Sequence, residues 1–173
     1  DVHIKGVSDV DLLVVEPRYV ETEYCPNSRK SYLSYSGLGT IPLDILALRA
    51  NAKDILERKF WGAKVDDSGA KCIKLTEGSL RRDVDVVPSA WDDTNAYQLT
   101  LDETERGIIV FDKLKGEKII NFPFKYMTEI NGKDVSTAGG AKMAIRLLKN
   151  VKSDEDEDSK LSSYDLGSLI YHC

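Results

Sequence analysis

Two carboxylates, Asp9 and Asp11, stand two residues apart at the head of the apolar run Leu12-Leu13-Val14-Val15. Side chains alternate across a strand, so in an extended segment the two acids share one face. Like charges so placed repel each other unless a cation lies between them. Hard oxygen ligands of this kind suit Mg²⁺, which is usually shared with substrate phosphates. An ordinary strand start with two solvated acids would be spelled the same way. The run that follows is apolar at every position, as in a central strand covered on both faces.

A second acidic element lies further along. Residues 71–75 and 81–88 read as strands. In the second, Val84 and Val86 fall on one face with Leu80 before them, and Asp83 and Asp85 on the other with Val87. Acids are disfavoured within β-branched runs, and burying one unpaired costs several kcal/mol. Such a strand beside the first would bring a third ligand to a two-metal site, the arrangement that clamps the attacking and leaving oxygens of a phosphoryl transfer. The competing reading is an edge strand whose acidic outer face lies beside Arg81 and Arg82.

The order Gly6-x-Ser8-Asp9-x-Asp11, an apolar strand, then Val84-Asp85-Val86-Val87-Pro88 resembles the polymerase-β-type nucleotidyltransferases. Within them it resembles the branch of oligoadenylate synthases, cyclic GMP-AMP synthases and bacterial cyclic-oligonucleotide synthases. Two later stretches extend the likeness. Lys142 to Lys149 is similar to the first helix of that branch's C-terminal lobe, and Ser162-Ser163-Tyr164-Asp165-Leu166 to a Ser-Tyr pair opening a later helix.

The resemblance implies an α+β fold, a mixed sheet with flanking helices. Residues 1–128 would form the catalytic core, and 129–173 the start of a helical lobe. It implies Asp9, Asp11 and Asp85 as catalytic residues holding two Mg²⁺ (or Mn²⁺). Lys149 and Ser163 would contact the triphosphate, and Tyr164 would stack on a base. The substrates would be nucleoside triphosphates, ATP or GTP or both, joined into a short linear or cyclic oligonucleotide, with a regulatory protein as a conceivable partner. The family also carries a Gly-Ser at a helix start upstream of the Asp pair. This chain starts eight residues before Asp9, so it reads as a fragment cut within the motif region, and Gly6-x-Ser8 as a turn rather than that motif.

The bulk numbers agree with such a reading. The chain has 173 residues, 42% hydrophobic and 31% charged, enough for one domain with a core and part of a second. A net charge of −5 argues against coating a polynucleotide, though not against a local basic patch. No apolar run approaches the roughly 18 residues that cross a bilayer. Cys25, Cys72 and Cys173 show neither zinc nor disulfide spacing, which suggests reduced thiols in a cytoplasm.

Other elements follow from pattern. Pro17 should close the first strand. Residues 19–41, with Tyr19, Tyr24, Tyr32 and Tyr35, read as a long loop whose tyrosines pack locally or stack on a base. Residues 42–60 read as a helix burying Ile45, Leu48, Ala52, Ile55 and Leu56, with Arg49, Lys53, Asp54 and Glu57 wet. Pro88 should end the Asp85 strand, and Asp92-Asp93-Thr94-Asn95 reads as a solvated turn. Residues 107–111 and 118–122 read as a hairpin around Lys115-Gly116. Lys142, Arg146 and Lys149 share a face of the helix 141–151, as a triphosphate contact or a solvated basic stripe. The five acids 154–158 read as a surface loop, and Ser162 as an N-cap. Two other functions fit the acids: a nucleotidyltransferase modifying a drug, a protein or a tRNA end, and a nucleotide-binding module without catalysis.

Overall fold

A computed structural model describes residues 10–32, 39–154 and 161–173. Gly6, Ser8, Asp9, Tyr35 and the acids 155–158 lie outside the described residues. Of the described residues, those from Val10 to Phe124 belong to one compact unit and those from Lys125 to Cys173 to another.

The first unit is a six-stranded sheet with a long helix. Its strands are β1 (Val10–Thr22), β2 (Lys64–Asp66), β3 (Ile73–Thr76), β4 (Val84–Asp93), β5 (Gly107–Asp112) and β6 (Glu117–Asn121). β4 is the spine. β1 runs parallel along one of its edges, from Val10 opposite Val84 to Thr22 opposite Asp93. The other edge is shared: β3 pairs antiparallel with Val84–Val86, and β5 with Ser89–Asp92. β2 pairs beyond β3, and β6 forms the expected hairpin with β5.

Helix α1 (Ile41–Lys59) covers one face, started by a Thr40 cap and Pro42 in its first turn. Ile45 packs on Ala90 and Ile109. Ala52 and Leu56 pack on Ile73, Leu75 and Val86. The odd-numbered residues of β4 therefore face away from α1. Ile55 is exposed and Arg49 is buried, both contrary to expectation. Arg49 stands four residues after Ile45, on the covered face. Its guanidinium meets Asp67 and the carbonyls of Gly69 (2.6 Å) and Cys72 (2.7 Å), which makes its burial tolerable.

Both prolines expected to end strands lie inside them. Pro17 sits where the β1–β4 register shifts, between Val15 and Val20, so no regular ladder bond is lost there. Pro88 falls where β4 has left β3 and not yet met β5. Nor is β1 a covered central strand. It pairs only with β4 among the described residues, and Leu12 is 50% exposed.

The predicted turn at Asp92-Asp93 is the end of β4. Asp93 is fully buried and accepts from Arg106 Nε (2.5 Å), Lys30 Nζ (2.8 Å) and the Tyr32 hydroxyl (2.9 Å). The Arg106 guanidinium lies 3.7 Å over the Trp91 ring and 4.8 Å over Tyr97. Helix α2 (Asn95–Thr100) closes the cluster, with Gln98 donating to the carbonyls of Asp93 and Glu23. Tyr32 is thus packed, while Tyr24 is exposed.

The second unit is helical: α3 (Pro123–Ser136, with its first two residues in the first unit), α4 (Gly140–Asp154) and α5 (Ser163–His172). The sequence reading left α3 unassigned. Ile130, Ala141, Ile145 and Leu166 are its buried apolar residues. Ser162 caps α5 in a full capping box with Asp165, whose carboxyl the Ser162 contacts hold below its ordinary range. Gly167 admits the Tyr126 side chain, into which a Cβ would project.

Candidate active site

The parallel pairing of β1 with β4 makes Asp11 and Asp85 direct register partners. Partners in register present their side chains on the same face, and Asp85 faces away from α1, so both carboxylates stand on the side of the sheet turned away from α1. Asp11 is exposed; Asp85 is half-buried, with Oδ1 shielded from solvent. Asp9, the third expected ligand, lies outside the described residues. Among the described residues no group of three or more His, Cys, Asp or Glu side chains gathers as a metal cluster.

What the sheet supplies is a pair of hard oxygen donors in neighbouring strands. That donor set fits a divalent cation whose remaining ligands come from nucleotide phosphates and water.

The strand expected at residues 71–75 is present as β3, and it brings to the site residues that no motif points to. In the antiparallel β3–β4 pairing, Lys74 is the partner of Asp85. Cys72, two residues earlier, shares that face. Burial first, then the charge of Asp85, pushes the Cys72 thiol up, with an opposing contribution from Arg49 and smaller ones from a bond to Asp85 and the charge of Asp11. The thiol is therefore a neutral neighbour of the acids. Arg49 fixes the turn before it, through Gly69 and Cys72 carbonyls. No spacing rule exposes this link, because α1 and the 67–72 turn meet only in the folded sheet.

The remaining expected residues belong to the second unit. Lys149 is half-buried on α4, and Ser163 opens α5. Tyr164 is 60% exposed and stacks on Tyr126 at 4.6 Å between ring centroids. It borders a cavity of about 210 Å³ that Glu129, Ser168 and His172 also line. Of the basic stripe, Lys142 is tied to Asp134, with its backbone N–H donating at 2.9 Å.

The chain has the fold of a nucleotidyltransferase. A CdnE c-UMP-AMP synthase from Rhodothermus marinus, solved with Apcpp and Upnpp, matches with a TM-score of 0.73 over 98% of this chain and 57% of its own, at 18% identity. A STING-associated CdnE c-di-GMP synthase from Capnocytophaga granulosa matches with a TM-score of 0.72 over 99% of this chain and 48% of its own, at 30% identity. In sequence, the cyclic dinucleotide synthase CdnE of Yersinia aleksiciae is 45% identical over 175 residues, which are 99% of this chain and 45% of that protein. No protein-family model matches. By sequence and fold together the chain belongs to the nucleotidyltransferases, in the branch of oligoadenylate synthases, cyclic GMP-AMP synthases and bacterial cyclic-oligonucleotide synthases that its motifs resemble. It spans about half the length of the relatives it matches. Among the described residues no helix is long and apolar enough to cross a membrane.

Proposed function

We propose that the protein transfers a nucleotidyl group from a nucleoside triphosphate to a hydroxyl of a second nucleotide, and that a second transfer within the linear product closes a cyclic dinucleotide, one pyrophosphate leaving at each step. The observation that carries this is the register pairing of Asp11 with Asp85 on parallel strands, in a chain 45% identical to a cyclic dinucleotide synthase. The attacking hydroxyl oxygen bonds to the α-phosphorus, the hydroxyl gives up its proton, and the bond to the departing pyrophosphate breaks. Mg²⁺ or Mn²⁺, when bound, supplies Lewis-acid activation of the hydroxyl and offsets charge on the phosphate. Asp11 and Asp85, with Asp9, would hold it. Fixed to a hydrogen-bonded sheet, Asp11 and Asp85 need little reorganisation during the reaction.

The motif match further assigns Lys149 and Ser163 to the triphosphate and Tyr164 to a base. The exposed Tyr164 ring supports that assignment for a stacking residue. In this reading residues 1–128 are the catalytic core and 129–173 begin a helical lobe. The relatives' products differ, c-di-GMP in one and c-UMP-AMP in another, so the chemistry is proposed at the level of a cyclic dinucleotide from ATP, GTP or another nucleoside triphosphate.

Incubation of the intact protein with Mg²⁺ or Mn²⁺ and all four nucleoside triphosphates tests the proposal by mass spectrometry of the products. A cyclic dinucleotide and pyrophosphate are expected. A nucleotide attached to protein, drug or tRNA would indicate the other transferase class. Nucleotide bound without turnover would indicate a binding module.

A further inference from the structure

Three strands bring charged residues abreast on the face of the sheet turned away from α1. Asp11 of β1 partners Asp85 of β4, and Asp85 partners Lys74 of β3. Lys74 is thus the cation built into the carboxylate row, on the opposite side of Asp85 from Asp11. Its Nζ lies 3.3 Å from Asp83 Oδ2, with the two side chains 41% and 42% exposed. Asp83 stands two residues before Asp85, so one lysine flanks both acids, the first as its ion-pair partner and the second as its partner in register. Adjacent carboxylates without a counter-ion repel, and a nearby cation offsets part of that repulsion. A divalent ion arriving at Asp11 and Asp85 meets that ammonium as a like charge.

We propose that Lys74 is a resident counter-cation: it holds the charge of the Asp11–Asp85 row in the metal-free protein and competes electrostatically with the divalent ion that the row binds. This rests on the reading above that Asp11 and Asp85 bind a divalent cation. Two consequences follow. The folded protein tolerates its acidic face before metal arrives, and metal affinity is set below what the carboxylates alone would give. Tight occupancy is then reached only when nucleotide phosphates supply further ligands.

The test is Mn²⁺ binding to the intact protein without nucleotide, followed by the electron paramagnetic resonance of free Mn²⁺. Thermal melting is run in parallel with Mn²⁺ and with EDTA. Lys74→Met should bind Mn²⁺ about threefold to tenfold more tightly, since a like charge a few ångströms away in an exposed site is worth on the order of a kcal/mol. It should also melt lower than wild type in EDTA, with most of the difference removed by Mn²⁺. Lys74→Arg, which keeps the charge, should keep the wild-type affinity. Unchanged or weaker Mn²⁺ binding by Lys74→Met would overturn the proposal. Asp85→Asn separates the two readings: if it binds Mn²⁺ as wild type does, the metal assignment itself has failed. If Asp85→Asn loses Mn²⁺ while Lys74→Met matches wild type, only the role of Lys74 has failed.

Discussion

Replacing Asp85 by Asn in the intact protein should lower nucleotidyl transfer by about 10²-fold or more while leaving the fold in place. The change removes one ligand charge and little volume. Asp85 contributes no apolar packing: the neighbours that hold β4 against α1 are Val84, Val86 and Ala90 on the other face. Initial rates of pyrophosphate release, with circular dichroism as a fold check, measure the effect. Asp83 is the internal control. It is similar in chemistry and two residues away, but β1 aligns Asp11 with Asp85 and places Val10 opposite Val84. Asp83→Asn should therefore keep activity within a few-fold. A severe loss at Asp83 with a mild one at Asp85 would mean that the pairing has been assigned to the wrong acid.

The largest effect on stability is expected at Asp93. Asp93→Ala should cost about 3–5 kcal/mol, because it strands the buried Arg106 guanidinium and removes the acceptor of Lys30 and Tyr32. Chemical denaturation of the intact protein, monitored by the fluorescence of Trp91 beside Arg106, reads it. A cost under about 1 kcal/mol would show that the cluster is solvated and that its partners separate freely. The neighbouring acid behaves oppositely. Burial first, then repulsion from Glu21, Glu23 and Asp93, raises the Asp92 carboxyl above its ordinary range. A carboxyl raised in the folded state destabilises more as pH rises through that pKa. Asp92→Asn should accordingly cost nothing or stabilise at neutral pH, in contrast to Asp93.

These two adjacent acids also show how far the sequence could be read. Strand alternation was enough to put Asp85 opposite Val84 and Val86, and the turn at Lys115-Gly116 was enough to give the β5–β6 hairpin. The Ser162 cap was legible because capping is local. The Asp93 cluster was not, because its partners Lys30 and Arg106 come from distant segments, and two acids before Thr-Asn resemble a turn. Pro17 and Pro88 misled for a related reason. A proline ends a strand only where its neighbour needs the missing N–H, and one sits at a register shift and the other between two partner strands. Arg49 was assigned to solvent by residue type although its position, four after Ile45, lies on the covered face. Lys74 was overlooked because strand pairing, not spacing, puts it beside Asp85. Helix α3 starts at Pro123, directly after the hairpin, and proline is well suited to a first helical turn.

In the proposed reaction the aligned carboxylates of β1 and β4 hold the divalent metal of a nucleotidyl transfer. The most direct test is the anomalous scattering of Mn²⁺ in crystals of the intact protein with a non-hydrolysable nucleoside triphosphate. An anomalous peak is expected within coordination distance of carboxylate oxygens of both Asp11 and Asp85, and of a phosphate oxygen. Nucleotide bound with Mn²⁺ placed away from Asp85 would contradict it.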